Sequence, residues 1–170
     1  LVADYGWTQR AIVLAAGSAA DLLFPGGPPE MVEAYIDLAN RDMAAVAAPA
    51  CAAEPKISRR VRLLIATRLQ QAEPHREAIR RAVAVLATPG RAAVAARCTA
   101  GTVDAVWAAA GDTSADFSWY TKRAILAGVY TATLLYWLNG SGDMADTLAF
   151  LDRRLAGVAK LGKLRARISA

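Results

Sequence analysis

The sequence has one histidine and two cysteines in 170 residues, and that scarcity removes several kinds of chemistry at once. His75 alone cannot build a His-rich metal site, and it leaves a catalytic triad a single base far from any obvious nucleophile. It follows Pro74 at the expected start of a helix, where it reads as a solvated surface residue. Cys51 and Cys98 stand in alanine-rich surroundings with no Cys-x-x-Cys spacing; they read as reduced, buried small residues. A Gly-rich phosphate loop and a nucleophile elbow are also missing. These absences argue against an enzyme, and no cofactor is expected.

Long apolar runs are missing too. The central apolar stretch, Ala124 to Leu138, has 15 residues, short of the roughly 20 needed to span a bilayer, and is expected to be a core helix. β-Branched runs are scarce, and much of the 55% hydrophobic share is alanine, the residue with the best helix propensity. The composition therefore predicts an all-α fold, with a chain long enough to bury a substantial core. The first residue is Leu, and a helix is expected to be already under way at Leu1 to Asp4, so upstream residues are expected and any targeting segment lies outside the sequence.

Positive charge is lacking where a DNA-binding unit would need it. The net charge is +5, but residues 1–50 carry two cations against six acids, net −4. Residues 51–103 carry ten cations against three acids, net +7, residues 104–151 two against five, net −3, and residues 152–170 six against one, net +5. Duplex DNA binding requires cations for phosphate neutralisation, so no DNA partner is expected.

Thr8 is a candidate N-cap for a helix through Ala16, which Gly17 closes. A stubby helix is expected to reach Phe24, followed by the break Pro25 to Pro29. Met31, Ala34, Tyr35, Leu38 and Met43 give the next helix an apolar face, and Pro49 to Pro55 reads as a loop. From Lys56 to Ala72, Ile57, Val61, Leu64, Ile65 and Leu69 recur with helical period, while Lys56, Arg59, Arg60, Arg62 and Arg68 are assigned to other faces. Pro74 to Leu86 repeats the design with Arg76, Arg80 and Arg81, so a basic face spans two helices, either simply solvated or in contact with anionic head groups. Another helix runs from Pro89-Gly90 to Ala110, and Gly111 is placed to stop it. The last begins near Asp143 and shows Met144, Leu148, Leu151, Leu155 and Val158, a repeat suited to antiparallel pairing with its predecessor. Its end alternates Leu161, Leu164 and Ile168 with Lys160, Lys163, Arg165 and Arg167, a basic amphipathic tail suited to a membrane surface or to a frayed terminus.

The most particular segment runs from Gly111 to Leu126 and places an acidic turn, the pair Trp119-Tyr120 and the cations Lys122-Arg123 at the start of the central helix, with Asp116 as its N-cap. Consecutive helical residues point about 100° apart, so a one-sided apolar stripe accommodates only one of the two aromatics. The run AAGDTSADFSWYTKRAILAGVYTATLLYWL, preceded by VDAVW and followed by TLAFLDRRL, resembles the ubiquinone-biosynthesis accessory proteins, the ninth member of the Coq series. FPGGPPEMVEAYID and GWTQRAI resemble the same family, and the resemblance covers nearly the whole chain.

The resemblance implies a TetR-like helical bundle, with residues 1–48 as a degenerate helix-turn-helix unit and 49–170 as a lipid-binding and dimerisation domain. It implies a polyprenyl quinone or other isoprenoid lipid as ligand, the di-iron demethoxyubiquinone hydroxylase as partner, and a homodimer. Candidates for the lipid wall are Trp107, Phe117, Leu126, Tyr130, Leu134 and Trp137, which suit ordinary core packing equally well. Candidates for partner binding are Asp104, Trp119, Tyr120 and Arg123. Lys160, Leu161, Lys163, Leu164, Arg165, Arg167 and Ile168 are candidates for peripheral membrane contact, although eukaryotic members carry a longer C-terminal helix. The expected location is the inner membrane surface, on the cytoplasmic side in a bacterium and on the matrix side in a mitochondrion. The alternative, a ligand-responsive TetR-type repressor, would place its recognition segment at Ser18 to Phe24. That segment has no Lys, Arg, Asn or Gln to reach a base edge.

Overall fold

The structure is a computed structural model that describes residues 1–17, 22–113, 118–140 and 143–168, with side chains for all of these except Ser118 and residues 161–168. Two short helices open the chain, α1 (Val2–Tyr5) and α2 (Gln9–Ala16). Thr8 caps α2, its hydroxyl accepting from the Ala11 N–H at 3.3 Å. Of the segment that the repressor alternative would use for recognition, residues 18–21 lie outside the described residues, while Leu22 and Leu23 are exposed.

Helix α3 (Pro28–Ala53) begins with two prolines, whose missing N–H groups cost nothing in a first turn. Glu30 accepts from the Gly26 N–H at 2.6 Å and fastens the preceding turn. The expected loop from Pro49 to Pro55 is shorter, confined to Glu54, Pro55 and Lys56: α3 runs through Pro49 to Ala53 and crosses the boundary expected at residues 48 and 49. An interior proline forfeits a backbone hydrogen bond. Met43, Ala47 and Cys51, four apart and buried in the core, keep the helix in register against that penalty.

The chain continues through α4 (Ile57–Ala72), a 3-10 turn over Glu73–His75, α5 (Arg76–Leu86), α6 (Ala92–Ala110), α7 (Ser118–Asn139) and α8 (Met144–Ile168). Gly111 ends α6 in the left-handed conformation, φ 82°, which glycine adopts without steric cost. Asp143 starts α8, its carboxylate accepting from the Ala145 N–H at 3.0 Å. Asp116, the expected cap of α7, lies outside the described residues. No strand occurs among the described residues; the chain is an all-α bundle, consistent with the TetR-like architecture.

Helix α4 is the central post, packed against α3, α6 and α8. Its Leu64, Ile65 and Leu69 are fully buried with Val103 and Val106 of α6, Trp137 of α7 and Leu151 of α8. Helix α7 packs on both α6 and α8.

Several cations of the basic α4–α5 stretch are neither simply solvated nor left for head groups, because they finish other helices. Arg76 donates to the carbonyls of Trp137 at 2.7 Å and Gly140 at 2.8 Å, and Arg80 to that of Leu138 at 2.6 Å. Both guanidinium groups sit at the negative end of α7, where unpaired carbonyls and the helix dipole favour a cation. Arg60 does the same for α6 through the Ala110 carbonyl, at 3.2 Å. Arg62 ties α4 to α8 by two parallel bonds to Asp152, at 2.8 and 3.0 Å, and these hydrogen bonds hold the Asp152 carboxyl below its ordinary range.

Candidate functional site

Five helices enclose a cavity of about 380 Å³ between α3, α4, α5, α6 and α7. Its walls are mainly apolar, with Leu69, Ile79, Val83, Leu86, Tyr130 and Leu134 among them. The polar lining is sparse. The hydroxyls of Thr99 and Thr102 donate back to the Ala95 and Cys98 carbonyls of their own helix, at 3.0 and 3.1 Å, which leaves Arg68, Tyr35 and Thr131 as the other polar groups of the wall. Burial pushes the Tyr35 hydroxyl above its ordinary pKa, against the opposing influence of the neighbouring Arg68 guanidinium. Cys98 also lines the wall as a free, buried thiol whose pKa is raised, first by burial and then by Glu33 and Asp37.

A second, larger recess of about 700 Å³ lies where α1 and α2 fold over α3 and the start of α5. Trp7 anchors it, donating from Nε1 to the Ala78 carbonyl at 2.8 Å, and its ring lies 5.3 Å from that of Tyr35. Tyr35 borders both spaces. The recess is the larger, but the five-helix cavity contains two of the expected wall residues, Tyr130 and Leu134, and the recess contains none of them.

The six expected wall residues divide. Tyr130 and Leu134 line the cavity. Leu126 and Trp137 are buried in the core cluster and do not line it. Trp107 is half-buried against that cluster, with Lys122 5.7 Å from its ring centre. Phe117 lies outside the described residues. Arg68, Tyr35, Ile79 and Val83 were not in the expected set. A signal for Arg68 was present, since it stands four residues after Leu64 and three after Ile65, on the buried face of α4.

The four expected partner-binding residues come together on α6 and α7. Arg123 lies 3.7 Å over the Trp119 ring and donates from Nε to Asp104 at 2.5 Å. Trp119 meets Tyr120 edge to face with ring centres 4.7 Å apart. Behind them Asp112, with its side chain 5% exposed, pairs with Lys122 at 3.1 Å and faces Arg123 at 3.9 Å. Tyr120 projects outward, 69% exposed. Beside the patch is a groove of about 510 Å³ lined by Val103, Asp104, Trp119, Arg123 and Ala127. Arrays of aromatic and guanidinium groups of this kind supply hot spots at protein interfaces.

Of the expected membrane-contact residues, Lys160 is exposed, and the side chains of Leu161, Lys163, Leu164, Arg165, Arg167 and Ile168 lie outside the described ones. No helix is long and apolar enough to cross a membrane, and no cluster of metal-ligating side chains occurs, both among the described residues.

The fold and the site define an all-α, TetR-like bundle with an apolar cavity among its helices and an aromatic-cation patch on α6 and α7. The COQ9 family profile matches residues 92–162, from the first residue of α6 into α8. The chain is 32% identical to the Rattus norvegicus ubiquinone biosynthesis protein COQ9, mitochondrial, over 95% of its own length and 56% of the relative's. It is 30% identical to the Homo sapiens protein of that name, over 95% and 55%. The Schizosaccharomyces pombe protein is also 30% identical, over 96% of the chain and 68% of the relative. The chain belongs to the COQ9 family, and it spans just over half the length of the mammalian relatives.

Proposed function

We propose that this chain is a non-enzymatic accessory protein of ubiquinone biosynthesis, which takes a polyprenyl quinone intermediate into the five-helix cavity and presents it to the di-iron demethoxyubiquinone hydroxylase. The observation that carries the reading is the cavity itself: about 380 Å³, walled by apolar side chains from five helices, with few polar groups, the usual character of a small-molecule site. Family membership supplies the pathway. Tyr35, bordering both spaces, gives a longer isoprenoid tail a route into the N-terminal recess. Asp104, Trp119, Tyr120 and Arg123 are the proposed contact with the hydroxylase. The chain works as a homodimer at the inner membrane surface, of the mitochondrion or of a bacterial cell. A repressor role is disfavoured by the net negative charge of residues 1–50.

Native mass spectrometry followed by organic extraction is expected to find isoprenoid or phospholipid on the purified protein and a mass of two chains. Delipidated protein is expected to take up a prenylquinone. Leu134→Trp, whose ring would occupy volume the ligand needs, should weaken uptake about tenfold or more, roughly 1.4 kcal/mol. Failure of delipidated wild-type protein to bind any prenylquinone would end the proposal.

The membrane part of the proposal rests on the end of α8, where Leu161, Leu164 and Ile168 alternate with cations. The expected result is weak binding to anionic vesicles that falls with added salt and is lost on truncation after Ala159. Equal flotation of the truncated chain would remove this segment from the membrane contact.

A further inference from the structure

Arg68 is the charged side chain in the wall of the five-helix cavity, and it is 5% exposed. An arginine this deeply buried is ordinarily paired, since the guanidinium stays protonated under all ordinary conditions and its desolvation must be offset. Here no carboxylate stands within 4.0 Å of it among the described residues, and its Nε has no hydrogen-bond partner. The guanidinium lies near the Tyr35 hydroxyl, whose pKa it pulls down against the larger effect of burial. Thr99 and Thr102 turn their hydroxyl hydrogens back to their own helix, and neither oxygen is hydrogen-bonded to Arg68 among the described residues. The cavity wall therefore carries a buried positive charge with no carboxylate in contact with it among the described residues.

That imbalance specifies the ligand that would remove it. We propose that Arg68 is the head-group site for a single-chain lipid bearing an anionic oxygen, with Tyr35 as a second donor and the tail lying along Leu69, Ile79, Val83 and Leu134. The proposal rests on the reading of the cavity as a lipid site and departs from the neutral quinone proposed above in the charge of the head group. A carboxylate, a phosphate monoester and an ionised ring hydroxyl share the required chemistry, and each can accept two guanidinium N–H groups side by side or singly.

The test uses delipidated full-length protein with four probes: laurate, farnesyl monophosphate, dodecanol and a neutral decyl benzoquinone. Laurate or farnesyl monophosphate is expected to bind at least about tenfold more tightly than dodecanol and to raise the unfolding temperature further, by mass action. Which anion prevails separates carboxylate from phosphate recognition. Arg68→Met should abolish the preference, lowering the affinity for the anionic probes far more than that for dodecanol, Arg68→Lys should keep part of it, and Tyr35→Phe should reduce it less than Arg68→Met. Without ligand, Arg68→Met should unfold at an equal or higher temperature than wild type, since it replaces an unpaired buried charge with an apolar chain. Should that variant fail to fold, laurate against dodecanol on the wild-type chain, together with Tyr35→Phe, decides the matter. Equal affinity of the wild type for anionic and neutral probes, or a preference that survives in Arg68→Met, overturns the head-group assignment and leaves the cavity a neutral-lipid site. Failure of all four probes to bind overturns the lipid reading of the cavity, and this inference with it.

Discussion

Trp137→Ala is expected to destabilise the protein by about 3–5 kcal/mol, the usual cost of deleting a large aromatic from a core. Trp137 is fully buried between α4, α7 and α8, in the same cluster as Leu64, Ile65 and Leu151. Its ring also lies 5.7 Å from the Arg76 guanidinium, which in turn holds the Trp137 carbonyl. Emptying the position therefore removes packing and loosens the cation that closes the end of α7. For a chain of this size about 1 kcal/mol corresponds to roughly 2–4 °C in the unfolding midpoint, so a fall of roughly 10 °C is expected in a thermal melt. Trp137→Phe should cost much less, because the indole Nε1 has no partner to lose. Calorimetry on the two variants, with prenylquinone uptake on each, separates core from cavity wall. A Trp137→Ala protein of normal stability that no longer takes up lipid would move Trp137 out of the core and into the wall.

Trp137 also illustrates what a helical period conveys and what it leaves out. Leu126, Tyr130, Leu134 and Trp137 recur along one side of α7, and that spacing correctly identifies an inward-facing stripe. Whether an inward residue meets a neighbouring side chain or an open cavity depends on what the facing helices bring. Trp137 belongs to the packed cluster that includes Leu64 and Ile65 of α4 and Leu151 of α8, while Tyr130 and Leu134 border the cavity together with residues of α5 and α6. The same rule applied to α4 would have put Arg68 inside, on the face of Leu64 and Ile65. Its charge argued for the outside, and that inference failed because the residue sits at a cavity rather than in packed core. Pro49 misled for the complementary reason: a local penalty was weighed without the buried series Met43, Ala47 and Cys51 that outweighs it. Gly17 and Gly111 were legible because a helix stop depends on backbone conformation within a few residues. The capping arginines were not, since Arg76 and Arg80 serve a helix that ends about 60 residues further along the chain.

Tyr120→Ala is expected to weaken association with the quinone hydroxylase by about 2 kcal/mol or more, roughly thirtyfold, as for other hot-spot aromatics. Its effect on folding should be small, because Tyr120 is 69% exposed and exposed substitutions usually change stability by about 0.5 kcal/mol or less. Trp119 is set differently. It is half-buried, with Arg123 stacked on its face and Tyr120 against its edge, so Trp119→Ala removes a contact surface and also frees the guanidinium that it orients. Arg123 would then be held by Asp104 and Asp112 alone. Trp119→Ala should accordingly cost more binding than Tyr120→Ala, together with a measurable loss of stability, whereas Arg123→Lys keeps the charge but loses the flat stacking face and the fixed fork of donors. An intermediate loss of affinity is expected for it. Affinity and thermal unfolding measured on the same three variants distinguish the alternatives. If Tyr120→Ala binds the hydroxylase as wild type does while Trp119→Ala loses both stability and binding, the aromatic pair is structural and the docking surface lies elsewhere. If all three retain full affinity, the patch on α6 and α7 has no part in recognising the hydroxylase.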